Sequence, residues 1–439
     1  MKKKIIINTL GCKVNQYESA AFLCSFQESG CEVAKAGEDA DIIVVNTCTV
    51  TAKAGAQSRQ TVRRLMRRHP KAKVVITGCY AQMAAQELAE MVETPVCIVG
   101  NGNKHLLVET ALQETPCDLT MIMGRILSKK DVCDLPMKRF GDRTRAYIRV
   151  QDGCTNFCTY CIVPYTRGPS RSVPLSDVLA QTAQFEKAGH KEIVVTGIHV
   201  GMYGKDLEEG HDIADLMIAI CQAHPNIRFR LSSIEPQEIT ETLLAAMKSC
   251  DNFMPHFHVP LQSGDDSILK RMHRGYDRET FRKVIQKCIK TFPEAAIGID
   301  ILTGFPGEGE KEFANSKNLL QEIDSTYFHV FPYSKRPGTP AASFKDQIPK
   351  AVSQQRVAEL RELAESKKHK FYSRFLNTTR PVLVEHKRTA DNMLSGFTDN
   401  YIPVVFPGDD SLMGQIIQVS LTQINDGVVQ GKQVDNQSC

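Results

Sequence analysis

The chain has 439 residues, 42% of them hydrophobic and 24% charged. That composition fits about three globular domains and excludes a largely disordered chain. Lys and Arg number 54 against 50 Asp and Glu, a net charge of +4, so a nucleic-acid surface must be local rather than global.

No apolar run approaches the roughly 18 residues that a membrane helix needs. Lys2, Lys3 and Lys4 precede only three isoleucines before Asn8 and Thr9, against the roughly 7–15 apolar residues of a secretory leader. The start therefore reads as a first buried strand, 5–7, of a cytoplasmic protein. Similar β-branched or aliphatic runs follow at 42–45 and 74–76, and a fourth strand at 95–99 leads into Gly100-Asn-Gly-Asn103. Helix-like segments at 16–29, 52–68 and 81–93 separate them. The alternation predicts a parallel sheet in a three-layer domain over residues 1–135. Cys12 (Thr9-Leu-Gly-Cys12), Cys48 (Asn46-Thr-Cys48) and Cys79 (Thr77-Gly-Cys79) fall at the carboxyl ends of three strands, where ligands collect in such sheets. Three at equivalent ends favour a second metal site over three cysteines that merely pack.

Residues 129–140 mix charge with Pro136 and read as a linker. The stretch 140–375 alternates strands (146–150, 191–196, 228–231, 254–259, 295–302, 327–331) with helices, as an open (β/α)6 barrel would. After the first of these strands comes Gly153-Cys-Thr-Asn-Phe-Cys-Thr-Tyr-Cys161, which is C-x3-C-x2-C. Fifteen cysteines, an odd number in a chain without a leader, favour metal or redox chemistry over disulfides. Cys154, Cys158 and Cys161 on one short loop can hold three irons of a cubic cluster and leave the fourth open. Zinc is the alternative, but a structural zinc usually takes four ligands in two pairs, and no second C-x2-C is present. Cys24, Cys31, Cys97, Cys117, Cys133, Cys221, Cys250, Cys288 and Cys439 lack ligand-like spacing and read as packing or surface residues.

A charged helix is predicted over 350–375. Alternating segments at 381–385, 392–397, 401–406 and 413–419 then predict a small β-barrel over 376–439. Basic residues gather on the second helix: Arg59, Arg63, Arg64, Arg67 and Arg68, then Lys71 and Lys73. Arg59, Arg63 and Arg67 share one face, which favours phosphate contact. Lys138, Arg139, Arg143, Arg145 and Arg149 form a second basic run. Residues 376–439 carry four Lys/Arg and seven Asp/Glu, so RNA contact there would rest on local groups such as Lys387 and Arg388. Tyr401 and Phe406 could stack on bases, although Phe406 reads better as core.

The loop Cys154–Cys161, with aromatic Tyr160 before its last cysteine, resembles the signature of the radical S-adenosylmethionine (SAM) enzymes. Two cysteine trios in this order resemble the methylthiotransferases, over essentially the whole chain. Thr9-Leu-Gly-Cys-Lys-Val-Asn-Gln-Tyr-Glu-Ser19, Asn46-Thr-Cys-Thr-Val50, Thr77-Gly-Cys-Tyr-Ala-Gln82 and Val195-Thr-Gly-Ile-His-Val-Gly-Met-Tyr-Gly204 look most like the MtaB-type branch.

The resemblance implies an N-terminal domain with an auxiliary 4Fe–4S cluster on Cys12, Cys48 and Cys79. It implies a radical SAM barrel with a second 4Fe–4S cluster on Cys154, Cys158 and Cys161, and a C-terminal TRAM domain. SAM contacts would come from Tyr160 near the adenine and from Thr196 and Gly197 near the amino group. Ser232, Ser233 and Glu235, then Gln262, Arg274 and Asp300, are further candidates at strand ends. His199 and His258 read as groups behind the ligands or as structural histidines, with the structural reading favoured.

The implied reaction is methylthiolation at C2 of N6-threonylcarbamoyladenosine beside the anticodon of tRNA. One SAM methylates sulfur and another yields the radical that takes the C2 hydrogen. That bond is not acidic, so no catalytic acid or base is expected. An external electron donor and a sulfur source are implied as partners. Isopentenyladenosine in tRNA and an aspartate of a ribosomal protein are the alternative substrates. A non-catalytic iron–sulfur RNA-binding protein is the distant alternative.

Overall fold

Strand Ile42–Thr47 is buried at all six residues, as a central strand covered on both faces must be. It lies in a six-stranded parallel sheet, ordered Glu32–Val33, Lys4–Thr9, Ile42–Thr47, Lys73–Gly78, Val96–Val99, Leu119–Ile122. The structure is a computed structural model that describes residues 2–92, 96–113, 119–141 and 143–434. Successive side chains of the central strand take opposite faces. Ile42 and Val44 join a core with Phe22 and Phe26 of helix Lys13–Glu28, whereas Ile43 and Val45 pack with Val62 and Leu65 of helix Ala52–Arg68. The three-layer reading is therefore observed. The strands Glu32–Val33 and Leu119–Ile122 were not expected; both are short edges with alternating or exposed residues. The helix expected over 81–93 is two short helices, Cys79–Met83 and Ala85–Glu90; residues 93–95 lie outside the described residues.

The stretch 129–140 has almost no regular structure but is not a free linker. Cys133, Leu135, Met137 and Phe140 are buried, so it is a strap packed along the barrel.

All six barrel strands occur: Arg145–Arg149, Glu192–Thr196, Arg228–Leu231, His256–Gln262, Ala296–Thr303 and Tyr327–Pro332. They form two parallel sheets of three. The first and sixth strands do not pair, so the barrel is open there. The N-terminal helix Lys13–Glu28 packs on the first barrel strand.

Helix Lys350–Ser373 leads to a closed five-stranded barrel. Its last strand, Val428–Gln433, was missed because Gly427 and Gly431 interrupt its apolar alternation. This barrel is clamped to the preceding one by buried arginines. Arg230 pairs with Glu192 and donates to the carbonyls of Thr398 (2.8 Å) and Asp399 (2.7 Å). Arg145 pairs with Glu385.

Candidate active site

The cysteine loops emerge where strands end. Cys48 follows Ile42–Thr47 directly, Cys79 follows Lys73–Gly78, and Cys12 lies just beyond Lys4–Thr9. Their turns come so close that only glycine fits. A Cβ on Gly11 would sit 2.9 Å from the Cys48 Sγ, and one on Gly78 would sit 2.3 Å from the Thr47 carbonyl oxygen. Both glycines have positive φ, 97° and 96°, where other residues are strained. The three cysteines are electrostatic neighbours of one another. Burial and the adjacent Cys79 push the Cys48 thiol up to about 11. Asn101 reaches this group, with its amide 3.9 Å from the Cys79 Sγ and 2.7 Å from the Thr166 carbonyl of the barrel.

Cys154, Cys158 and Cys161 leave the first barrel strand on a loop that Gly153 allows to turn. A Cβ there would lie 1.9 Å from the Pro169 carbonyl oxygen. Burial and Cys158 raise the Cys161 thiol to about 12. Two cations flank the trio. Arg274 donates to the Cys158 Sγ at 3.3 Å and pairs with Glu235. His199 places Nδ1 3.5 Å from the Cys154 Sγ and Nε2 2.7 Å from Glu238. Burial works against its charge, but Cys154 and Glu238 prevail and raise its pKa to about 10. Of the two sequence readings of His199, a group behind the ligands fits this contact better than a structural histidine; its place after the second strand, in Thr196-Gly-Ile-His199, was the available signal.

The remaining expected site residues divide. Tyr160 is half-buried, edge-on to Phe305 at 6.4 Å. Thr196 and Gly197 end the second strand, and a Cβ on Gly197 would sit 2.8 Å from the Gln151 Oε1. Ser232 and Ser233 follow the third strand, and the buried Ser232 Oγ has no hydrogen-bond partner among the described residues. Gln262 ends the fourth strand with φ 62°. Asp300 departs from this ring. It lies three residues before the end of Ala296–Thr303, in hydrogen-bond contact with His258 (2.9 Å) and with its Oδ1 3.3 Å from His329 Nδ1.

One buried charge network joins the two cysteine groups. Arg167, 1% exposed, ends the short helix after the barrel loop. It donates to Asn15 Oδ1 (2.6 Å), Glu18 Oε1 (3.0 Å) and Asp152 Oδ1 (2.8 Å). Lys104 also pairs with Glu18. Sequence reading missed this network, because Arg167 lies 15 to 152 residues from its partners in sequence.

The expected basic surfaces change. Arg63, Arg64, Arg67 and Arg68 are exposed, but Arg59 turns inward to Tyr80 (2.5 Å) and Glu87 (3.6 Å). In the second run, Arg145 pairs with Glu385 and Arg149 is 4% exposed, whereas Lys138, Arg139 and Arg143 are exposed. Arg388 is tied to Asp410. Tyr401 does not face solvent for base stacking; it packs on His256 at 4.4 Å, between the two barrels. Phe406 is core. Of the nine other cysteines, Cys31, Cys97, Cys133, Cys221, Cys250 and Cys288 are buried and Cys24 is half-buried; Cys117 and Cys439 lie outside the described residues.

Residues 4–100 match the uncharacterized protein family UPF0004, 148–320 the radical SAM superfamily and 373–434 the TRAM domain. Over 421 residues the chain is 37% identical to a Bacillus subtilis (strain 168) protein named threonylcarbamoyladenosine tRNA methylthiotransferase MtaB, across 95% of this chain and 93% of that one. The chain belongs to the radical SAM methylthiotransferases. An Aquifex aeolicus (strain VF5) methylthiotransferase of the same name is 35% identical over 95% of this chain and 99% of its own. A Clostridium tetani (strain Massachusetts / E88) relative, named tRNA-2-methylthio-N(6)-dimethylallyladenosine synthase, is 32% identical over 99% and 97%. Among solved structures, the radical SAM methyltransferase TsrM from Kitasatospora setae shares the fold, with a TM-score of 0.55, 14% identity and 78% and 77% coverage.

Methylthiotransferases of this kind use two 4Fe–4S clusters and SAM, and the donor sets here fit them. A single zinc at about 2.3 Å from each sulfur would draw the sulfurs to within about 3.8 Å of one another. Among the described residues only His258, Asp300 and His329 bring three donor atoms within 4.8 Å. The cysteines are more widely set, as a cubic cluster requires. Arg167, Arg274 and His199 supply positive charge beside thiolates, which favours the deprotonated, ligating form. The unpartnered Ser232 Oγ suits a polar ligand.

Proposed function

We propose that the enzyme methylthiolates C2 of N6-threonylcarbamoyladenosine next to the anticodon of tRNA. The observation that carries the reading is the pair of cysteine trios at adjacent strand ends, in a chain 37% identical over nearly its full length to a relative named for that substrate. In this reading Cys12, Cys48 and Cys79 hold the auxiliary cluster, and Cys154, Cys158 and Cys161 hold the radical SAM cluster. When bound, these groups supply radical hydrogen abstraction from an unactivated carbon and the methylthio group.

The chain's own residues do the rest. Arg274, fixed by Glu235, and His199, fixed by Glu238, hold cations against the barrel sulfurs. Tyr160, Thr196, Gly197, Ser232, Ser233 and Gln262 line the strand ends where SAM would sit, with Glu235 and Arg274 beside them. Arg167 and Glu18 lock the two cysteine loops in one orientation, so that donor and acceptor stay in register. Arg63, Arg64, Arg67 and Arg68 offer an exposed basic face for the RNA backbone.

The domains run 1–135, 140–375 and 376–439. An electron donor and a sulfur source complete the cycle. No helix among the described residues is long and apolar enough to cross a membrane, which is compatible with a cytoplasmic site of action.

The test is anaerobic reconstitution with iron, sulfide, SAM and reductant, using tRNA bearing threonylcarbamoyladenosine or isopentenyladenosine, with nucleosides read by mass spectrometry. A methylthio mass gain on the threonylcarbamoyl nucleoside alone is expected. Gain on the isopentenyl nucleoside alone would overturn the substrate assignment and leave the chemistry standing.

A further inference from the structure

The open side of the barrel carries a polar cluster that the roles above leave unused. Asp300 of the fifth strand meets His258 Nε2 of the fourth at 2.9 Å and His329 Nδ1 of the sixth at 3.3 Å. Both rings contact the same oxygen, Oδ1. No protein partner is found for Oδ2 among the described residues. Asp300 and Leu302 alternate with Ile299 and Ile301, which face the hydrophobic core, so Asp300 faces the lumen. The Leu302 side chain and Tyr160 of the barrel's cysteine loop pack against the same apolar cluster, which includes Phe305, and Asp300 lies two residues before Leu302 on its strand.

Within electrostatic reach of Asp300 is Lys13, the residue after Cys12. It is half-buried, and its ammonium has no hydrogen-bond or ion-pair partner among the described residues. Its electrostatic neighbours include Asp300 and Cys12. On the edge strand, Tyr327, His329 and Phe331 share one face, with ring centroids 5.3 and 6.3 Å apart. His329 is 50% exposed and Phe331 44%.

An uncommitted cation and a free carboxylate oxygen beside an exposed aromatic make a surface with definite chemistry. A hydrocarbon substituent placed there would strip water from Lys13 and Asp300 and return no hydrogen bond. A substituent with a carboxylate, a hydroxyl and an N–H would satisfy both charges, the carboxylate on Lys13 and a donor on Asp300 Oδ2. The exposed Phe331 face suits stacking on the base that carries it.

We infer that Lys13, His258, Asp300 and His329 read the N6 substituent of the substrate adenosine and select an anionic, hydroxyl-bearing one, with Phe331 against the base. The inference rests on the tRNA-adenosine reading above. It assigns specificity jointly to a residue of the N-terminal domain and three of the barrel.

The test is binding of the reconstituted enzyme to anticodon stem-loops, followed anaerobically by fluorescence anisotropy. The loops carry threonylcarbamoyladenosine, isopentenyladenosine or unmodified adenosine. The wild type is expected to prefer the threonylcarbamoyl loop over the unmodified one by about tenfold or more, the scale of one or two charge-assisted hydrogen bonds. Lys13→Met and Asp300→Asn should each bring that ratio close to one, with unmodified-loop affinity and iron content unchanged. Lys13→Arg should keep much of the preference. Should Lys13→Met lose iron, Asp300→Asn and His329→Ala, which lie in the other domain, decide. Retention of the full wild-type preference in both Asp300→Asn and His329→Ala overturns the inference. A wild type that methylthiolates only the isopentenyl loop overturns the substrate reading instead, a result visible in product analysis without any variant.

Discussion

Replacing Arg167 by methionine tests whether the two cysteine-bearing domains are held by buried charge. The side chain is 1% exposed and donates to Glu18, Asp152 and Asn15 at 2.6–3.0 Å. Methionine keeps much of the volume and removes the charge, leaving two buried carboxylates with less compensation. Removing one member of a buried ion pair costs about 3–5 kcal/mol. Each carboxylate here retains another cation: Lys104 for Glu18, and Arg171 at 3.4 Å for Asp152. The loss therefore belongs at the low end, about 3 kcal/mol. At about 2 °C per kcal/mol for a large domain, the melting temperature should fall by about 6 °C. Anaerobic scanning calorimetry of the reconstituted protein measures this, with Arg167→Lys expected between the two because it keeps charge but loses the fork. A methionine variant melting within about 1 °C of the wild type would refute the reasoning.

Other outcomes follow from the same geometry. Cys48→Ala should retain SAM cleavage and lose methylthio transfer, while Cys158→Ala should lose both; full product from Cys48→Ala would remove the auxiliary-cluster assignment. Arg167 and Lys104 outweigh burial and hold the Glu18 carboxyl near 2, below its ordinary 4.5. Its contribution, about 3 kcal/mol, is thus fully present above pH 4.5 and lost as pH falls toward 2. Denaturant titrations between pH 6 and 3 should show a shallower acid limb for Glu18→Gln than for wild type. Gly78→Ala places a Cβ 2.3 Å from the Thr47 carbonyl at φ 96°; it should cost more than about 1 kcal/mol and reduce iron bound at Cys79, read by iron content. Changing Arg63, Arg64, Arg67 and Arg68 to Ala should flatten the salt dependence of tRNA binding by about 2–4 in log–log slope. An unchanged slope would take that helix out of the RNA surface.

Much of this protein was written locally. Runs such as Ile-Ile-Val-Val at 42–45 bury as strands because β-branched residues suit a sheet covered on both faces. The turns that end them placed all three N-terminal cysteines before any contact was known. The C-x3-C-x2-C loop carried its chemistry in its spacing, and the six barrel strands lie within three residues of their expected positions. What composition could not supply was partnership between distant residues. Arg145, Arg149 and Arg59 looked like nucleic-acid contacts because charge on a strand or helix carries no record of its neutralising carboxylate. The strap at 129–140 looked like a linker because its buried residues follow no period. Only the tertiary fold turned Arg167 toward Glu18, brought His199 to Cys154, and set Lys13 within electrostatic reach of Asp300. Such pairings depend on long-range closure of the chain, and local sequence fixes which elements form but not which side chains meet between them.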